Sequence, residues 1–103
     1  LNHLLLKCLW RPQWRARYLA AFDALAAAYL AAVAWEPAAA IEARAARLLP
    51  GLFLARVDGK SPVEYVTADV ERERVRRVAK PLLKHPPERL EQVRAAWEKE
   101  MAA

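Results

Sequence analysis

A chain of 103 residues makes one domain or part of one, with room for only a modest core. It is 56% hydrophobic, mostly Ala and Leu, with two glycines, a balance that favours helices and excludes a glycine-rich phosphate loop. The net charge of +5 invites a nucleic-acid reading, but the basic residues are dispersed, and Arg72, Arg74, Arg76 and Arg77 alternate with Glu71 and Glu73 as on a solvated helix face.

"LNHLLLKCLW" (Leu1 to Trp10) is an apolar helix with Leu1, Leu4, Leu5, Cys8 and Leu9 on one side, ended by Pro12. A long helix follows. Trp14, Tyr18, Phe22, Leu25, Tyr29 and Val33 recur at helical spacing, and such an aromatic stripe predicts a core seam. Trp35-Glu36-Pro37 marks a break, with Pro37 suited to the first turn of the next helix. That helix turns Ile41, Ala45, Leu48 and Leu49 inward and Glu42, Arg44 and Arg47 outward, until Pro50-Gly51 closes or kinks it. Leu52 to Val57 reads as a further helical turn, since no partner strand is visible.

Asp58-Gly59 is a turn dipeptide, with Gly59 expected at positive φ. Ser61, Pro62 and Glu64 have the spacing of a capping box, predicting a short helix from Pro62. Thr67 is the expected cap of the next helix, with Asp69 near its positive end and Val70, Val75, Val78, Ala79 and Leu82 as its apolar side. Pro81 is expected to bend or end it, and His85-Pro86-Pro87-Glu88 is a boundary. Leu90, Val93, Trp97 and Met101 line the last helix. The predicted fold class is all-α, a subdomain of about five to six helices over residues 1–103.

Cys8, the only cysteine, rules out an internal disulfide and fits a reducing, cytoplasmic setting as a buried structural thiol. The uncharged run Ala24 to Trp35 is well short of the ~20 residues a membrane span needs. No catalytic constellation is visible: His3 and His85 lack metal-ligand neighbours, Ser61 is explained as a cap, and the helix carboxylates share their faces with Arg or Lys. The apolar start at Leu1 suggests the tail of a longer polypeptide.

The stretches "LNHLLLKCLW", "AAFDALAAAYLAAVAWEP", "RLLPGLFLARVDGKSPVEYVT" and "RVRRVAKPLLKHPP" together resemble the C-terminal part of aminoglycoside-phosphotransferase-like small-molecule kinases, a group that includes choline and methylthioribose kinases. The resemblance spans Leu1 to Pro87, and "LLPGLFLARVDGKSPVEY" is its most specific stretch. It implies the helical C-terminal lobe of a protein-kinase-like fold whose parent enzyme uses ATP and Mg²⁺. The family's catalytic loop, His-x-Asp-x-x-x-x-Asn, and its magnesium-binding Asp do not occur here. The resemblance therefore implies no catalytic residue, no metal ligand and no cofactor for this portion, which would be inactive alone.

In such kinases the helical lobe builds the acceptor pocket. Arg56, Asp58 and Lys60, with His3, Lys7 and Tyr65, are accordingly expected to face a small hydroxylated acceptor. An equal alternative is a solvated loop held by an Arg–Asp or Lys–Glu pair. The expected partners are the N-terminal catalytic portion of the same polypeptide and a second copy, both through an apolar patch of Leu1, Leu4, Leu5, Leu9 and Trp10. Two other function classes compete: a free-standing helical dimerisation or interaction module with an exposed aromatic seam, and, less favoured, a nucleic-acid-binding domain.

Overall fold

The nine residues of α1 (Asn2–Trp10) carry apolar side chains around most of the helix, so only helices packed on several sides can cover them. The rest of the chain supplies these. In a computed structural model describing all 103 residues, α1 is followed by a 3-10 turn (Pro12–Trp14), α2 (Arg15–Ala32), α3 (Ala38–Asp58), α4 (Asp69–Lys84) and α5 (Leu90–Ala102), with no strand. Helices α2, α3 and α5 all pack on α1, and α3 packs most extensively on α4. The all-α class with five helices is the architecture the sequence implies, and no helix is long and apolar enough to cross a membrane.

The predicted apolar patch on α1 is not present. Leu5, Leu6, Cys8 and Leu9 are all buried, Leu1 and Leu4 are half-covered, and only Trp10 remains exposed. Trp97 of α5 closes the arrangement: it is fully buried, its indole N–H donates to the Leu5 carbonyl at 2.7 Å, and its ring meets Phe53 of α3 at 5.3 Å.

The stripe of α2 differs from a core seam. Leu19 and Phe22 are buried, whereas Trp14, Leu25 and Tyr29 are 45%, 50% and 51% exposed. For Leu25 and Tyr29 the reason is length: at 1.5 Å per residue α2 is about 27 Å long and α1 about 13 Å, so α2 outruns the helix it packs on, whereas Trp14 lies in the 3-10 turn before α2.

Helix α3 runs through Pro50-Gly51 to Asp58. Interior proline costs about 3 kcal/mol, but Ala46, Leu49, Phe53 and Val57 are all buried along this one face, which outweighs it. Leu48, expected inward, is exposed. Pro81 is likewise accommodated inside α4.

Between α3 and α4 the chain is irregular. Gly59 sits at φ −88°, ψ −173°, an extended conformation and not the positive φ expected. No helix starts at Pro62, because the Val63 amide donates back to the Arg56 carbonyl at 2.9 Å and Val66 is drawn into the core. Helix α4 begins after Ala68, one residue beyond Thr67; the Ala68 methyl cannot cap, and the Glu71 carboxylate accepts from the Ala68 amide at 3.3 Å. Val70 points to solvent, while Val75, Val78 and Ala79 are buried.

Polar contacts fix the last helix. The first amide of α5, on Leu90, donates to Glu42 of α3 at 3.0 Å. At its other end Glu100 accepts from Arg77 at 2.7 Å, and Arg74 donates to the Glu100 carbonyl at 2.6 Å. Arg94 pairs with Asp23 of α2 at 2.7 Å.

Candidate functional site

Because α1 is covered on its apolar sides, one polar strip of it remains at the surface. His3, Lys7 and Trp10 lie there at i, i+4 and i+7, the spacing of one helix face. The loop after α3 returns along this strip. His3 Nδ1 and the Tyr65 hydroxyl are 2.7 Å apart although 62 positions separate them in sequence. The Tyr65 ring lies 5.8 Å from that of Trp10, whose own face carries the Arg11 guanidinium at 4.0 Å.

Arg56, near the end of α3, completes the group. Its Nη1 donates to the Ser61 carbonyl at 3.3 Å, which ties the loop to the helix it leaves. Its Nε is enclosed without a hydrogen-bond partner, and its Nη2 makes no hydrogen bond. Burial lowers the pKa of His3, with Arg56 and Lys7 adding in the same direction. Burial raises that of Tyr65, with Arg56 opposing. Around neutral pH the pair is therefore an uncharged imidazole and an uncharged phenol, joined by a hydrogen bond whose direction follows the histidine tautomer.

Four of the six predicted residues, His3, Lys7, Arg56 and Tyr65, thus share one ledge. The other two do not. Asp58 turns to α4, where Arg76 grips its carboxylate with contacts of 3.0 and 2.7 Å and depresses its pKa. An Arg–Asp pair does hold the loop's shape, but the arginine is Arg76. Lys60 is exposed and makes neither hydrogen bond nor ion pair. Trp10 and Arg11 were missed, although the i+7 spacing from His3 was readable.

No cavity is enclosed at the ledge; it is a surface of hydrogen-bonding and positively charged groups. A neutral imidazole, a phenol, a guanidinium and an ammonium can bind a hydroxylated or anionic molecule, but no carboxylate base or nucleophile faces them. No three His, Cys, Asp or Glu side chains are grouped to hold a metal ion.

A second feature lies where α2 outruns α1. Leu1, Leu25, Tyr29, Leu30, Ile41 and Leu90 contribute to an open cavity of about 250 Å³ whose lining is wholly apolar. Trp35, beyond the end of α2, is 70% exposed.

Compared with family models, curated proteins and solved structures, the chain has no match in any of the three.

Proposed function

We propose that this chain is the helical, acceptor-side part of an ATP-dependent small-molecule phosphotransferase. The observation supporting it is the convergence of His3, Lys7, Arg56 and Tyr65, which brings the most family-like stretch of the sequence against α1. His3 and Tyr65 would hydrogen-bond the acceptor's hydroxyls, while ATP and Mg²⁺ would be held by the catalytic portion. That portion would cover the exposed apolar end of α2, since α1 is already covered from within.

The test is NMR titration of the chain with hydroxylated acceptors, sugars and amino alcohols, together with a transfer assay on the whole reading frame. The expected result is shifts centred on His3, Arg56 and Tyr65, weakened in Tyr65→Phe, and phosphoryl transfer to the same compound. Shifts confined to other helices, or none across the panel, would overturn the proposal.

The apolar cavity beside Leu25 and Tyr29 favours a second reading, a free-standing helical interaction module. The reading frame upstream separates the two: a kinase-like catalytic loop there supports the phosphotransferase, and its absence together with a dimer abolished by Leu25→Glu supports the module.

A further inference from the structure

The charges around the ledge have one sign. Lys7 lies one turn from His3 and makes no ion pair. Arg56 spends one of its terminal nitrogens on a neutral carbonyl and leaves the other free. The carboxylates within reach along the chain do not compensate: Asp58 is committed to Arg76, and Glu64, the residue before Tyr65, pairs with none of these cations. An arginine with one terminal nitrogen unengaged and an unpaired lysine, both near His3, are an arrangement for a carboxylate or phosphate group.

We infer that the ledge of Lys7, Arg56 and the His3–Tyr65 pair selects an acceptor carrying an anionic group, and disfavours the amine-rich sugars. The inference rests on the proposed function for the ligand being a small hydroxylated molecule. Its own content is the sign of the ligand's charge. The guanidinium and ammonium would engage the carboxylate or phosphate, and the imidazole and phenol a neighbouring hydroxyl. A protonated amine at the same place would meet two fixed cations with no counter-charge, a repulsive arrangement.

Glucose, glucose 6-phosphate and glucosamine share one ring and differ in charge, so calorimetric titration of the chain with each reads the preference directly. Glucose 6-phosphate is expected to bind at least about tenfold more tightly than glucose, with glucosamine weakest, and the preference should shrink as salt is added. Lys7→Gln, a change at the surface of α1, should remove most of the preference. Lys84→Gln at the far end of α4 removes the same charge and should leave it intact. Arg56→Gln tests the second cation, and unchanged thermal unfolding of Lys7→Gln keeps the result interpretable if the Arg56 variant loosens the loop.

Equal binding of the three sugars, or tightest binding of glucosamine, overturns the inference. If glucosamine binds at the ledge and the whole reading frame phosphorylates it, the phosphotransferase proposal survives without the anion selectivity. If glucose 6-phosphate binds there but neither it nor any other acceptor is ever phosphorylated, the anion site survives and the phosphotransferase proposal falls. Binding to phosphatidylglycerol vesicles with none to glucose 6-phosphate overturns the small-molecule assignment.

Discussion

Trp97→Phe isolates what one side chain does for this fold. Trp97 is fully buried, joins α5 to α1 through the 2.7 Å bond to the Leu5 carbonyl, and joins α5 to α3 through Phe53. Phenylalanine keeps the aromatic contact but loses the indole N–H, a net loss of about 1 kcal/mol. The Leu5 carbonyl is not orphaned, because as a helix carbonyl it also faces the amide four residues on. The smaller ring leaves a void of about 40 Å³, costing about 1 kcal/mol if the surroundings do not collapse. The expected loss is about 2 kcal/mol, a sizeable part of the 5–15 kcal/mol typical of a domain, and a fall in Tm of about 10 °C. Trp97→Ala should cost about 3–5 kcal/mol. Urea unfolding followed by far-UV circular dichroism measures both, with an unchanged slope showing that stability alone has moved. A Trp97→Phe unfolding free energy within about 0.5 kcal/mol of the parent's would refute the three-helix junction.

The two glycines should respond in opposite directions. Gly51 lies inside α3 with open space where a Cβ would stand, so Gly51→Ala should stabilise by up to about 1 kcal/mol. At Gly59 an added Cβ would run into the Ala55 backbone, so Gly59→Ala should destabilise by about 1–3 kcal/mol; thermal melts decide both. The Cys8 thiol, 1% exposed and raised in pKa by burial, should resist thiol reagents in the native state and react at the rate of local opening. Acid should destabilise in two stages. His3 has a folded pKa below its ordinary 6.5, so the unfolded chain binds the extra proton and stability falls as pH drops below 6.5, a step that His3→Gln removes. Asp58 and Glu100, held below their ordinary 3.8 and 4.5 by Arg76 and Arg77, stabilise above those values and lose that contribution as pH falls further; thermal unfolding across pH resolves the stages.

Local chemistry was readable where it acts within a few residues. The His85-Pro86-Pro87 boundary and the Leu90, Val93, Trp97 spacing define α5 without reference to any other helix. Features decided by a distant partner were not. The aromatic stripe of α2 has a sound period, but its burial depends on how far α1 reaches. Pro50 stops an isolated helix, yet α3 passes through it because buried neighbours on both sides hold the same face. The capping box at Ser61 loses to the recapture of the Val63 amide by Arg56, a contact that closes the loop on itself. At the candidate site the residue types were legible, whereas their grouping was not: Asp58 had several arginines to choose from, and only the packing of α3 on α4 selects Arg76.

A central first helix has a consequence for synthesis. The ribosome makes Leu5 92 positions before the tryptophan that seals it, so at 5–20 residues per second the nascent leucines wait roughly 5–20 s for their cover. Until α2 and α3 pack on it, α1 offers a greasy segment to chaperones and to other unfinished chains, and docking of α5 completes its cover.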